Sequence, residues 1–167
     1  DSRPWADNDP DSTNWRKPVM AANDGASGVA VMLEIARQLQ ADKKLNPSIG
    51  VDFVCFDTED WGVPQWSDAQ DDGNSWALGA QYWSENKPED YNPRYGILLD
   101  MVGGQGAKFY REGMSMQYAG GIVKRVWAAA RQAGYGSFFP KSDGGMITDD
   151  HIPVNEKAKI PTIDVIA

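Results

Sequence analysis

The chain has 167 residues, room for one domain with a sizeable core, and its 24 Asp and Glu against 16 Lys and Arg leave a formal charge of −8. That acidity disfavours a polyphosphate partner and so argues against nucleic acid. Apolar residues make up 41% of the chain, but no apolar run is long enough to cross a bilayer, so no membrane-spanning segment is expected.

Residues 1–20 are rich in Asp, Asn, Pro and Trp and follow neither a helical nor a strand period, which predicts an irregular covering loop. From 25 to 41 the pattern turns helical: Val29, Met32, Leu33, Ala36 and Leu39 recur at three-and-four spacing, leaving Glu34, Arg37 and Gln38 for solvent. Asp24 stands where an N-cap belongs, its carboxylate available to the first free amides of that helix. Residues 49–56 read as a buried strand that carries the lone cysteine, Cys55. A single thiol forms no intrachain disulfide, and inside an apolar strand it reads as structural.

A Pro- and Asp-rich loop over 63–73 precedes a helix predicted over 74–86, with Trp76, Gly79, Ala80 and Trp83 on one packing face. Residues 95–102 form a second, almost unbroken apolar strand that contains one acid, Asp100. A charge in such a run is costly unless it is paired, metal-bound or at the strand's end. A short strand is predicted over 107–111 and a helix over 116–134, packing through Ile122, Val123, Val126, Trp127 and Ala130. Next, 142–153 joins paired glycines to Asp149, Asp150 and the sole histidine, His151, before a last strand over 160–166. Strands alternating with helices predict an α/β fold, a three-layer sandwich whose central, mostly parallel or mixed sheet is flanked by helices.

Acids thus sit at Asp24, at Glu59 with Asp60, at Asp100, and at Asp149 with Asp150, all at helix entries or strand exits. In open α/β sheets those ends converge. Carboxylates brought together repel and raise one another's pKa, so such a set implies a metal ion, shared protons, or both. On ligand type alone Zn²⁺, Mg²⁺ and Ca²⁺ all qualify.

Four ordered motifs carry a resemblance: AANDGASGVAVMLEIARQL, VDFVCFDTEDWG, ILLDMVGG and GGMITDDHIPV. Together they resemble the zinc-dependent exopeptidase fold of the M28 peptidases, and within it the animal-type glutaminyl cyclases and their bacterial relatives. The resemblance implies one M28-like catalytic domain over 1–167, with both ends expected to be cut from something longer. It implies Asp24 and Asp60 as zinc ligands, with a further ligand histidine expected downstream of Ala167. Glu59 is implied as the general acid and base, and Asp100 and Asp149 as the acids that share protons with it. Asp60 stands where most members have glutamate, and His151 is expected to orient a neighbour or pack.

The implied activity is zinc-dependent cyclisation of an N-terminal glutamine to pyroglutamate with release of ammonia, one Zn²⁺ serving each chain. One alternative is an M28 zinc aminopeptidase, with two zinc ions and Asp100 on the second. Another is a non-catalytic binding domain on the same scaffold. The expected partners are peptide or protein N-termini, and the resemblance to bacterial relatives implies a periplasmic or secreted location.

Overall fold

The computed structural model describes residues 3–42, 46 and 48–167. Asp1 and Ser2 of the predicted opening loop lie outside them. The remainder of that loop is irregular, as expected, apart from a 3₁₀ turn at Ser12–Asn14 whose free amide at Thr13 is taken by the Asp11 side chain at 3.0 Å. Five residues onward from the loop the first helix, α1 (Ala26–Ala41), begins.

The N-cap of α1 is Gly25, at φ 90°, and no side chain caps the helix. Asp24 therefore precedes the cap and does not fill it, which corrects the capping expectation. The packed stripe of α1 runs through Ser27 and Gly28, both buried, and half-buried Met32, Ala36 and Leu39. Val29 and Leu33, predicted for that stripe, are exposed. Gly28 sets this rotation: a Cβ there would lie 2.4 Å from the carbonyl oxygen of Leu99, so only glycine lets the helix approach the sheet this closely.

Among the described residues the sheet consists of two parallel strands, β1 (Gly96–Asp100) and β2 (Thr162–Ile166), with Gly96 opposite Thr162 and Asp100 opposite Ile166. Parallel strands need a long crossover, here supplied by α3 (Gly113–Gln132) and α4 (His151–Glu156). The result is a mixed α/β fold with a small parallel sheet flanked by helices, α1 against β1 and α3 against β2. Ile163 and Val165 face Ile122, Val123 and Trp127 of α3 in one core cluster, where full burial of a residue such as Ile163 stabilises by about 1.5–3 kcal/mol. Strand alternation sends Asp100 and Asp164 to the opposite face.

Three predicted elements differ. Residues 51–56 make no strand ladder, and Val51, Phe53, Val54 and Cys55 are exposed, so the thiol is not buried. A strand is defined by its hydrogen-bonded neighbour, and none lies beside this run among the described residues. Residues 107–111 contribute one isolated bridge, Arg111 with Asp143, in place of a strand. Helix α2 (Leu78–Asn86) starts later than residue 74 because Ala77 takes a left-handed conformation (φ 52°) and Asp71 and Asp72 tie the preceding amides into a turn. His151, expected to orient a neighbour or pack, opens the short helix α4 and is fully buried.

Candidate functional site

Helix α2 docks by its N-terminus onto the end of the 51–56 run. The amides of Ala77, Leu78 and Gly79 donate to the carbonyl oxygens of Glu59 (2.7 Å), Thr58 (3.2 Å) and Asp57 (3.0 Å). Amides at a helix start have no partner inside the helix, so the acidic segment satisfies them and is held by them. Thr58 turns the chain here with φ 54°, a left-handed conformation that costs a β-branched residue on the order of 1–3 kcal/mol. Met101, directly after Asp100, is left-handed too (φ 46°). Asp57, Glu59 and Asp100 thus sit beside sharp turns of the backbone.

A second set of bonds brings Asp24 to the same place. The side-chain oxygen of Asn23 accepts from the amide of Gly103 at 2.9 Å, and Ser27 Oγ accepts from the amide of Val102 at 3.0 Å. The turn after β1 is thereby fastened to the entry of α1, and burial first, then the charge of nearby Asp24, raises the pKa of Asp100.

Asp24, Glu59 and Asp60 each offer one oxygen, all within 4.8 Å of one another and all half-buried. Burial raises Asp60 to about 6, helped by a hydrogen bond and charge from Asp24. Two ionised carboxylates do not hold that contact without a proton or a cation between them. Glu59 is pushed higher, to about 9, by burial first and then by the charges of Asp149 and Asp60. Asp149 rises to about 8 through burial; its bond from the Asp150 amide opposes this, and the charges of Asp100 and Asp150 add to it. Burial likewise lifts Asp150 to about 7, with Asp100 and Asp60 contributing. Asp149 lies outside the compact trio but its charge acts on Glu59.

The donor set fits a zinc ion by chemistry: carboxylate oxygens that repel one another, gathered where a cation would relieve the repulsion. Asp24, Glu59 and Asp60 are the residues that could hold it. A second group, Asp149, His151 and Asp164, also presents three donors within 4.8 Å and is fully buried.

Asp164 and Glu112 were absent from the sequence-derived site. Asp164 is an acid in an apolar run, the same signal that singled out Asp100. Glu112 caps α3, accepting from the amides of Met114 (2.7 Å) and Ser115 (2.6 Å), and also from Ile147 (3.0 Å). Burial works to raise Glu112, but these bonds outweigh it and hold it below the usual range. His151 Nε2 lies 3.3 Å from Glu112 Oε2 but too far off line for a hydrogen bond, and burial keeps the imidazole neutral-leaning against the pull of Glu112.

Tryptophans border the acids. Trp61, next to Asp60, is exposed and meets Trp5 of the opening loop edge to face (5.1 Å between centroids), while Trp66 lies 6.2 Å from Trp5 and under Arg16. The opening loop does cover this turn.

The sequence model of peptidase family M28 matches residues 1–167. No curated protein matches the chain. Among solved structures, a glutaminyl cyclase from Bacteroides thetaiotaomicron, bound to N-acetylhistamine, is 49% identical over 99% of this chain and 56% of its own, with a TM-score of 0.92. A glutaminyl cyclase from Tannerella forsythia is 49% identical over 99% of this chain and 56% of its own, at a TM-score of 0.90. A Zn-dependent exopeptidase from Parabacteroides distasonis is 47% identical over 99% and 56%, at 0.91. The chain therefore spans little more than half the length of the structures it resembles.

Proposed function

Because this chain belongs to peptidase family M28, whose model spans all of it, we propose that it is a zinc-dependent glutaminyl-peptide cyclotransferase. It turns an N-terminal glutamine into pyroglutamate and releases ammonia. The observation that carries this reading is the convergence of Asp24, Glu59 and Asp60, each offering an oxygen within 4.8 Å of the others, in a chain 49% identical to glutaminyl cyclases. A single Glu-centred site of this kind suits a reaction in which nucleophile and electrophile belong to one residue.

Asp24 and Asp60 would hold a zinc ion, which would supply Lewis-acid polarisation of the side-chain amide carbonyl. The peptide's α-amine attacks the amide carbon, forming the ring C–N bond. Glu59 takes the proton released by that nitrogen and delivers it to the leaving amide nitrogen as the old C–N bond breaks, so ammonia departs and Glu59 returns to its starting state. Asp149, together with Asp100, shares protons with Glu59, so that Glu59 can both accept a proton and release it. Trp61 and Trp5 offer apolar walls beside the reacting residue. The substrates are peptide or protein N-termini, residues 1–167 belong to one M28-like catalytic domain, and the protein works in the periplasm or outside the cell. None of the helices among the described residues is long and apolar enough to cross a membrane.

A second reading, an M28 aminopeptidase, is favoured by the 47% identity to a Zn-dependent exopeptidase and by the closeness of Asp100 to Asp24, which would suit a second metal. Incubating full-length protein with a Gln-initiated peptide and weighing the product separates them. Loss of ammonia supports the cyclase, loss of a whole residue supports the peptidase, and an unchanged mass supports a binding domain. Zinc per chain gives an independent count, one for the cyclase and two for the peptidase.

A further inference from the structure

A small cavity that none of the proposed catalytic acids lines is built where the 51–56 run meets the end of α2. Its walls are Asp52, Val54, Trp83, Pro88 and Tyr91, around a volume of about 200 Å³. Local structure places each of them. Phe56 packs edge to face on Trp83 (5.6 Å between centroids), and Val54 and Asp52, two and four residues earlier, line the space beside that ring. Helix α2 ends at Asn86, and the turn after it is closed by the amide of Tyr91 donating to the carbonyl oxygen of Pro88 at 3.1 Å. The turn sets the Tyr91 ring against Trp83 at an interplanar angle of 85°, with 5.8 Å between centroids. The Tyr91 hydroxyl donates to Oδ2 of Asp52 at 3.1 Å. Burial first, then this bond, holds that hydroxyl above its ordinary pKa, so it stays a neutral donor.

Two aromatic rings thus form a corner with an exposed carboxylate beside it. Ring faces are electron-rich and Asp52 is an anion, so the lining favours a cation over a neutral or negative group. Its surroundings agree, because Glu89 and Asp90 are exposed on the same turn and the whole chain carries a formal −8. Lys87, at the start of the turn, directs its ammonium to the carbonyl oxygen of Tyr91 at 3.4 Å. Size and geometry narrow the choice of cation. Sites for whole small molecules run to about 300–1,000 Å³, so a space of about 200 Å³ suits the end of one side chain. A guanidinium is best met by both oxygens of a carboxylate, and one oxygen of Asp52 already holds Tyr91. An ammonium is a point charge that needs one oxygen and a ring face. We propose that Asp52, Trp83 and Tyr91 form a binding site for the ammonium end of a lysine side chain on a polypeptide partner. The site is separate from the cyclotransferase reading and does not rest on it. An exposed ion pair and a cation–π contact are each weak, so it serves as an accessory anchor for a longer polypeptide and holds a single lysine only in the millimolar range.

The test is a magnetic resonance titration of full-length protein carrying isotope-labelled tryptophan, with the Trp83 indole signal assigned by its absence from Trp83→Phe. The probes are Nα-acetyl-lysine methylamide and its uncharged counterpart, Nα-acetyl-norleucine methylamide. The lysine probe is expected to move the Trp83 signal saturably, and the norleucine probe to bind at least about fivefold more weakly. Asp52→Asn removes the charge at an exposed position and weakens the lysine probe about 2- to 5-fold. Tyr91→Leu removes one ring together with the bond to Asp52 and weakens it by at least as much. Equal binding of the two probes overturns the proposal, because the cavity would then be an apolar slot. So does a Trp83 signal that neither probe moves, or lysine binding that Asp52→Asn leaves unchanged. Should Tyr91→Leu fail to fold, the pair of probes and Asp52→Asn still decide.

Discussion

The amide of Ala77 donates to the carbonyl oxygen of Glu59 at 2.7 Å, the shortest of three bonds by which the N-terminus of α2 grips the acidic segment. Ala77 is itself left-handed, at φ 52°. The helix is thus fitted to the catalytic segment at the cost of its own first turn. A position this over-determined keeps the Glu59 backbone from moving when its side chain changes charge.

Gly79→Ala tests that grip. A Cβ at residue 79 would lie 2.3 Å from the carbonyl oxygen and 2.6 Å from the amide nitrogen of Asp57, so backbone has to give way. The urea midpoint is expected to fall, by about 1–3 kcal/mol in stability, and turnover to drop with it, although residue 79 touches no substrate. Unchanged stability would mean that α2 is not seated on this segment.

Glu59→Gln removes the proposed proton carrier while leaving Asp24 and Asp60 in place. Turnover is expected to fall by about 10²–10⁴-fold, with zinc content measured on the same sample unchanged. Metal loss in this variant would move Glu59 from proton transfer to ligation.

Asp24→Ala separates two meanings of the same residue. As a cap it would cost about 1 kcal/mol of helix stability whether or not metal is present. Because Gly25 occupies the N-cap and no side chain caps α1, the chelator-treated variant is expected to match chelator-treated wild type within about 0.5 kcal/mol. It should nevertheless bind no zinc at stoichiometric concentration, as read by a metal titration.

Stability should fall as the solution becomes alkaline. Asp164 is raised from its ordinary 3.8 to about 9 in the folded protein. Below its unfolded value both states are protonated and its contribution is fully present. Between the two values the unfolded chain has lost a proton that the native state keeps, so stability drops as pH rises and the contribution is gone above about 9. One such proton is a slope of about 1.4 kcal/mol per pH unit. Urea midpoints between about pH 5 and pH 8 should show a steeper decline for wild type than for Asp164→Asn, and parallel lines would refute the assignment.

Residues 26–41 and 113–132 were legible as helices because apolar side chains recur at the helical period whatever lies next to them. The strands at 96–100 and 162–166 were legible as apolar runs bounded by turn residues. Asp100 announced itself through the cost of burying a charge. The same argument, applied to Asp164 in its own apolar run, would have found the inner carboxyl, whereas Glu112 was not readable as a cap because the helical period was legible only from residue 116 and the helix begins at Gly113. By contrast, the run at 51–56 looked like a strand and Cys55 like a core thiol, but strand character and burial depend on a neighbour that a local pattern does not contain.

By itself, then, the order of residues determined which segments are helical, which are apolar and extended, and which acids stand at their ends, since periodicity and the penalty for buried charge are local properties. Only the tertiary structure decided that Asp24 lies beside Asp60 and not on a helix cap, that Ala77 clasps Glu59, and that Asp149 is backed by Asp164. Those relationships come from packing between elements tens of residues apart, and from the glycine at 28 that lets a helix lie against a strand's backbone.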